Sequence, residues 1–285
     1  MRMVFVTNPW ASAMIRGEQI AARLLDAVVY QHTDTAYENA RENDVCIFVK
    51  SFPDYGWPAL MEAIKVKKCY LDIVDSVIAL RSARSSEIAE NMDLGVIAIG
   101  KLSHEYISEY LDRDDIILIP EHHCNFESVM RDKRDVFKVG FCGYEGNFHL
   151  DPVVVGRALA SIGARFIYHI NPEDRNVCCR FYASIDISLS FRSQMDPALA
   201  KLKNPLKLAN AGSFGIPTVA YPEPNYIAEW DGCFAKVENL DDVVRVVKVL
   251  MESKAAYENL SGLAYEKSKE YHIKKILPLY KELLV

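Results

Sequence analysis

The chain has 285 residues, of which 50% are hydrophobic and 25% are charged, a composition typical of a globular protein with one large or two ordinary domains. Its net charge of −6 argues against a strongly basic surface, so nucleic acid is not an expected partner. The seven cysteines lack a repeated CxxC spacing, which indicates free thiols in a reducing, cytoplasmic compartment and no metal site.

The first part of the chain alternates short apolar runs with helical patterns, and this alternation predicts a parallel, doubly wound α/β sheet. A helix is predicted over residues 17–27, where apolar residues recur at helical spacing after a long loop. The GxGxxG pattern of dinucleotide-binding proteins is absent. The predicted strands are residues 3–7, 27–31, 44–50, 69–74, 95–100 and 116–120.

Ionisable residues follow three of these predicted strands. Asp54 lies in the loop after the third strand, Asp75 directly follows the fourth, and His104 lies after the fifth. Because right-handed crossovers bring successive strand ends to one rim of a sheet, these residues are candidates for a site there. The alternative is that each has a structural role.

The polar segment 121–136 breaks the alternation and is interpreted as an interdomain linker, which gives domains at residues 1–121 and 137–270. It contains His122 and His123. Adjacent residues on an extended segment point to opposite sides, so the pair does not predict a metal site.

The second domain repeats the alternation, with a glycine-containing loop that starts at Gly143 and precedes a helix. A strand, loop and helix in this order suit a phosphate at the helix N-terminus. Arg192, Lys203 and Lys207 are expected near one rim, where they could neutralise a diphosphate; the alternative is a set of solvated surface cations. The predicted strands are residues 138–142, 164–170, 185–191, 216–221 and 233–237.

The segment 204–229 carries the most specific pattern. A helix is predicted after Asn204, a strand follows Gly215, and a polar turn containing Glu223 and Glu229 follows the strand. Further on, Asn239 is predicted to cap an amphipathic helix, and residues 255–269 and 271–285 are also predicted to be helical.

This segment resembles the donor half of GT-B glycosyltransferases of the glycosyl transferases group 1 type. The family usually also has two glutamates that bracket seven residues, and Leu202 and Asn210 stand at those two positions here. The residues that match the family pattern in order and spacing are Pro205, Lys207, Leu208, Gly215, Pro217, Val219 and Ala220.

The resemblance implies two Rossmann-like domains with a cleft between them and a terminal helix, about 271–285, that packs back on the first domain. It implies transfer of a sugar, of the hexosyl or deoxyhexosyl class, from a nucleotide-diphosphate sugar to a hydroxyl of a glycan, lipid-linked or protein-linked acceptor. Polysaccharide biosynthesis is the expected setting, with no metal or cofactor. Retaining and inverting mechanisms both stay open, as does peripheral membrane association.

The resemblance also implies roles for individual residues. The Gly143 loop, Arg192, Lys203 and Lys207 would face the donor diphosphate. Asn210 would contact the ribose, and Glu223 and Glu229 the donor sugar. In the first domain, the loop with Arg16 and Gly17 would approach the substrates. In an inverting enzyme, Asp54, Asp75 or His104 would act as the base.

Two other functions are compatible with the same pattern. One is a sugar-nucleotide epimerase of the same fold, which needs no acceptor. The other is an inactive nucleotide-sugar-binding module, which the missing glutamate pair favours. Product formed from the donor alone would indicate the epimerase, and binding without turnover would indicate the inactive module.

Overall fold

A computed structural model describes residues 2–7, 11–31, 44–50, 67–75, 85–131, 137–172 and 174–285. The chain forms two compact units and crosses between them more than once. The first unit comprises Met1–Glu121, Pro197–Asn204 and Lys274–Val285; the second comprises His122–Asp196 and Pro205–Ile273. Residues 197–204, which the sequence analysis placed in the second domain, therefore lie in the first unit.

The first unit is built on a parallel sheet in which the described strands have the order β2-β1-β3-β4-β5-β6. β1, β3 and β5 are apolar and nearly free of solvent contact, as expected for strands covered on both faces. The strands are β1 Met3–Thr7, β2 Ala27–Gln31, β3 Val45–Val49, β4 Lys68–Asp72, β5 Leu94–Ala98 and β6 Ile117–Leu118.

The helices of the first unit come from three separate parts of the chain. α1 starts as a π-helical segment, Ala13–Glu18, and continues as a short α-helical turn, Gln19–Ala21. The predicted first helix, residues 17–27, was therefore placed too far along the chain. The other helices are α2 Ser85–Glu90, α3 Lys101–Leu111, α6 Pro197–Leu202 and α11 Ile273–Glu282, which begins one residue before the unit does.

The second unit contains another parallel sheet, with the strand order β11-β10-β9-β7-β8. β7, β9 and β10 form its centre, so the loops after these three strands are neighbours at the carboxyl edge. The strands are β7 Lys138–Gly143, β8 Arg165–Ile170, β9 Ile187–Ser190, β10 Thr218–Ala220 and β11 Ala235–Lys236.

The helices of the second unit mostly begin with the residues that the sequence indicates. Asp151, Asp174, Asn239 and Ser253 each cap a helix by accepting a hydrogen bond from a first-turn backbone N–H, which confirms the predicted Asn239 cap. The helices are α4 Pro152–Ala160, α5 Arg175–Ala183, α7 Leu206–Ser213, α8 Pro224–Trp230, α9 Leu240–Glu252 and α10 Lys254–Ser268.

The predicted α/β class with two parallel, Rossmann-like sheets is confirmed. Two short helices were not predicted. Residues before Asn204 form α6, and the predicted polar turn after β10 contains α8; in both, a proline at the first helical position follows an acidic residue. The predicted C-terminal helix is present as α11, with Pro278 inside it.

The predicted linker is also more buried than its composition suggests. Residues 121–126 are all buried, and the His123 backbone N–H donates to the Tyr271 carbonyl oxygen at 2.9 Å. The ring centroids of His123 and His272 lie 5.2 Å apart. Residues 122–126 of this segment are therefore packed into the second unit, whereas residues 127–130 are exposed.

Within the described part of the chain, every helix is too short or too polar to cross a lipid bilayer.

The contact between α7 and α10 predicts a position-specific effect of alanine substitution. A Cβ atom on Gly212 would lie 2.4 Å from the backbone oxygen of Ala264, so Gly212→Ala should lower the free energy of unfolding by about 1–3 kcal/mol through overpacking. Gly262, on α10, has open space at its Cβ position, so Gly262→Ala should be neutral or raise stability by up to about 1 kcal/mol. Denaturant unfolding of both variants checks this, and equal effects would contradict the close-contact explanation.

Candidate functional site

The carboxyl edge of the second sheet brings Gly143 and Lys207 together. Gly143 ends β7, and Lys207 lies in the first turn of α7. A Cβ atom on Gly143 would lie 3.3 Å from Cε and 3.6 Å from Nζ of Lys207, so the lysine side chain runs along the glycine. A Cβ atom would crowd the end of this side chain, and the ammonium group of Lys207 lies at the end of β7.

α7 begins at the same edge, and Lys207 lies in its first turn. Pro205 occupies the N-cap position and has no side-chain oxygen with which to cap the first-turn amides. The helix dipole and these amides favour an anion at this point. The positive end of the helix and Lys207 therefore reinforce each other.

Arg192 and Glu223 form a buried ion pair between two neighbouring loops. Arg192 follows β9, Glu223 follows β10, and a guanidinium N–H of Arg192 donates to the Glu223 carboxylate. Nη1 of Arg192 also donates to Oδ1 of Asn147 at 3.0 Å, in the turn after β7. The pair joins the three central loops, so Arg192 has a positioning contact as well as its charge.

Tyr226 and Ser190 extend this buried group toward the core. The Tyr226 hydroxyl lies 3.3 Å from Oγ of Ser190, and burial raises the pKa of Tyr226 above its ordinary value. Together with Glu223, these residues form a buried polar group at the carboxyl ends of β9 and β10.

Asn210 and Glu229, two further predicted donor residues, have contacts of another kind. Oδ1 of Asn210 accepts from the Cys124 backbone N–H at 2.7 Å, and only 8% of Asn210 is exposed. Glu229 lies near the end of α8 and accepts a hydrogen bond from the Tyr271 hydroxyl. Neither residue is placed beside Lys207 by these contacts, so their roles with a donor stay predictions. Leu202 is fully buried in the core of the first unit.

Lys203 belongs to the first unit, where its ammonium group pairs with the Asp75 carboxylate. Asp75 also pairs with Lys50, whose Nζ lies 2.6 Å from Oδ1. Although burial alone raises the pKa of Asp75, the ammonium groups of Lys203 and Lys50 hold it well below its ordinary range. A carboxylate that stays ionised in this way is a weak proton acceptor.

Arg16 is buried within the first unit. Its Nε lies 2.5 Å from Oδ2 of Asp72, its Nη1 donates to the Ile119 carbonyl oxygen at 3.0 Å, and its guanidinium lies over the Tyr280 ring. Only 1% of Arg16 is exposed. A Cβ atom on Gly17 would lie 2.6 Å from Thr7, so both members of the predicted cleft loop pack inside the unit.

The remaining predicted base candidates are His104 and Asp54. Nε2 of His104 lies 2.9 Å from the Ile116 carbonyl oxygen, which can only accept, so this nitrogen carries the proton. Asp54 lies outside the described residues.

Glu121, which the sequence analysis did not select, has the most unusual carboxylate environment. It is buried, lies three residues after the end of β6 and accepts a hydrogen bond from the Asn204 side-chain amide. Burial raises the pKa of Glu121 to about 7. Arg16 opposes this shift, whereas the carboxylates of Asp75 and Asp72 reinforce it. Glu121 can therefore exchange a proton near neutral pH, and only its position after an apolar strand indicates this in the sequence.

Backbone strain marks the same edge of the first sheet. Lys50, directly after β3, has φ of 48°, and Val74, two residues after β4, has φ of 53°. This left-handed region is unfavourable for a β-branched residue such as Val74. The surrounding structure holds both residues in this conformation, and at this rim Lys50 forms an ion pair with Asp75.

No group of three or more His, Cys, Asp or Glu side chains in the described ranges is arranged to hold a metal ion. Metal independence stays a prediction.

Comparisons with solved structures find the same fold over the whole chain. The HepE protein of Anabaena, in a complex with UDP, has a TM-score of 0.72 at 10% identity, covering 100% of this chain and 99% of its own. A glycosyltransferase from Rickettsia africae has a TM-score of 0.70 at 10% identity, covering 99% and 97%. The sucrose-phosphate synthase of Thermosynechococcus elongatus has a TM-score of 0.63 at 9% identity, covering 99% and 98%.

These likenesses confirm the GT-B fold that the sequence resemblance implies. No protein-family model matches the sequence, and no curated protein matches it either.

The Arg192–Glu223 pair predicts a large stability effect at one glutamate and a small one at another. Glu223→Gln leaves the buried Arg192 charge without its counter-ion, so the free energy of unfolding should fall by about 3–5 kcal/mol. Glu229→Gln loses part of one hydrogen bond to Tyr271 and should cost about 0.5–1.5 kcal/mol. Denaturant unfolding of the two variants checks the difference, and similar costs would mean that the pair is not buried as described.

Glu121 predicts a pH-dependent stability difference. Its pKa rises from an ordinary 4.5 to about 7 on folding, so between these values the folded protein holds a proton that the unfolded chain has lost. The stabilising effect of that proton is complete below pH 4.5 and is lost as the pH rises to 7. Relative to the wild type, Glu121→Gln should therefore gain roughly 3 kcal/mol across this window. Unfolding titrations at several pH values measure it, and parallel curves would refute the shift.

Proposed function

We propose that this protein is a glycosyltransferase that moves a sugar from a nucleotide-diphosphate sugar to an acceptor hydroxyl. The observation that carries the proposal is the Lys207 ammonium alongside Gly143, at the start of α7 and at the carboxyl edge of the second sheet. In open α/β sheets this edge is where ligands bind. The HepE structures with UDP and with UDP-glucose support the same choice of ligand.

The proposed role of the second unit is to bind the donor. When the bond between the sugar and the diphosphate breaks, negative charge grows on the diphosphate. Lys207 and the N-terminus of α7 would stabilise that charge without a metal ion. Arg192 would contribute mainly by holding the loops after β7, β9 and β10 in position.

The proposed role of the first unit is to serve the acceptor. An inverting reaction needs a group that takes the proton of the acceptor hydroxyl. Glu121 is a better choice for it than Asp75, because its pKa of about 7 suits proton exchange at neutral pH whereas Asp75 stays ionised. In a retaining reaction no such base is needed. Glu121 would then affect only the electrostatic potential around it.

The proposed acceptor is a glycan or a glycolipid, as in polysaccharide biosynthesis, and the transferred group is a hexose or deoxyhexose. Among the solved structures of similar fold, TarM was crystallised with fondaparinux, α-GlcNAc-glycerol and UDP. This supports a carbohydrate acceptor over a nucleic acid, in agreement with the net charge of −6.

A thermal-shift screen with UDP, GDP, dTDP, CMP and their common sugars tests the proposal first. A ligand that binds the folded protein raises the melting temperature by mass action. A selective rise with one nucleoside diphosphate would support a donor site and name the base. The absence of any shift at millimolar ligand would count against a nucleotide-sugar enzyme.

Lys207→Ala should weaken binding of the selected nucleoside diphosphate by about 1.5–3 kcal/mol, the value of a charge-assisted hydrogen bond. Titration calorimetry measures the change. Lys248→Ala, which removes an exposed lysine on α9 of the same unit, is the matched control and should leave affinity unchanged. Unchanged affinity in a folded Lys207→Ala variant would remove Lys207 from the site.

A further inference from the structure

Six of the seven cysteines are hydrogen-bonded to another thiol, although the sequence shows no CxxC pattern. One pair lies in the first unit, on neighbouring strands, and both of its members have no exposed surface. The other two pairs lie in the second unit. The pairs are Cys46 with Cys69, Cys124 with Cys179, and Cys142 with Cys178.

The two pairs of the second unit meet at α5. Cys178 and Cys179 are adjacent on this helix and partly exposed, whereas Cys124 and Cys142 are buried. Neighbouring helix residues point about 100° apart, so each reaches a different partner. The Cys179 thiol meets that of Cys124 and also donates to the Cys124 backbone carbonyl oxygen at 3.2 Å, and the Cys178 thiol meets that of Cys142 near the end of β7.

The pKa of the partly exposed member of each pair lies below its ordinary value. Nη1 of Arg175 lies 3.9 Å from Sγ of Cys179. The hydrogen bond with Cys124 lowers the pKa of Cys179 and the Arg175 guanidinium lowers it further, whereas burial and the Glu127 carboxylate, which pairs with Arg175, oppose the shift. The hydrogen bond with Cys142 lowers the pKa of Cys178 in the same way. The thiolate is the nucleophilic form of cysteine.

Simple core packing does not account for this arrangement. A buried free cysteine usually behaves as a small apolar residue. Here each buried thiol contacts a partly exposed one, and thiols close enough to hydrogen-bond are within reach of disulfide closure. An exposed attacking thiol beside a buried partner is also the arrangement of redox-active pairs.

We propose that Cys124, Cys142, Cys178 and Cys179 form a thiol–disulfide site that reacts with low-molecular-weight disulfides. In its oxidised form the site contains a Cys124–Cys179 and a Cys142–Cys178 disulfide. The proposal concerns only the second unit and does not depend on what the protein binds or transfers.

The reaction takes two exchange steps for each pair. The Cys179 thiolate attacks the small disulfide, forms a mixed disulfide and releases one small thiol. Cys124 then loses its proton and attacks Sγ of Cys179, which closes the protein disulfide and releases the second small thiol. Two electrons pass from the protein to the small disulfide. Cys178 and Cys142 react in the same way.

The test uses the full chain, reduced and then exposed to oxidised glutathione. Samples are alkylated at intervals, digested and mapped by mass spectrometry. We expect Cys178 and Cys179 to be consumed at least ~10-fold faster than Cys233, a partly exposed cysteine in another packing cluster. Cys46 and Cys69 should stay reduced because they are fully buried.

Two variants assign the cross-links, since Cys178 and Cys179 fall in one tryptic peptide. Cys178→Ala should remove the cross-link to Cys142 and keep the one to Cys124, and Cys179→Ala should do the reverse. Cys233→Ser is the control and should change neither. Consumption no faster than that of Cys233, or glutathione adducts without cross-links, would overturn the proposal. A single cross-link in the wild type would overturn it for the other pair.

Discussion

The first unit depends on one buried ion pair, that between Arg16 and Asp72. Both side chains are almost completely removed from water, where an isolated charge is costly, so each requires the other. The pair fixes α1 against the end of β4, and a second guanidinium N–H fixes it to the Ile119 carbonyl oxygen after β6. Glu121 lies two residues beyond Ile119, in the field of the same charges. Arg16 therefore ties α1, β4 and the end of β6 together, and its charge partly offsets the effect of burial on the pKa of Glu121.

The second unit also contains a buried ion pair at the carboxyl edge of its sheet. Arg192 and Glu223 join the loops after β9 and β10, and Asn147 joins them to the loop after β7. In both units an arginine is committed to internal contacts at the carboxyl edge of the sheet, and lysines lie nearby. A bidentate, strongly hydrogen-bonding guanidinium suits a fixed support, whereas the longer, more mobile ammonium group of a lysine adapts to a ligand.

The fold followed from short-range patterns, and much of the site did not. The apolar runs of β1, β7 and β9 are buried because of their own composition, whatever the arrangement of the rest of the chain. The sequence alone therefore predicts these strands. Lys207 was found because its spacing from Pro205 and Gly215 is local. The raised pKa of Glu121 was not readable, because it results from burial and from the carboxylates of Asp75 and Asp72, and the fold rather than the local sequence brings these together. Helix α6 was missed although Asp196 and Pro197 are a usable start signal, since the helix has only six residues and directly follows a polar stretch.

The division of the chain has a consequence for the order in which the protein folds as it is made. The first unit contains Asn204 and Tyr280, from segments 197–204 and 274–285, beside Glu121 and Arg16. When only residues 1–121 have left the ribosome, the two later segments that bury these charges have not yet been made. The second unit needs only residues 122–273, so it can close its core earlier. The half that is synthesised first is thus the half that is completed last.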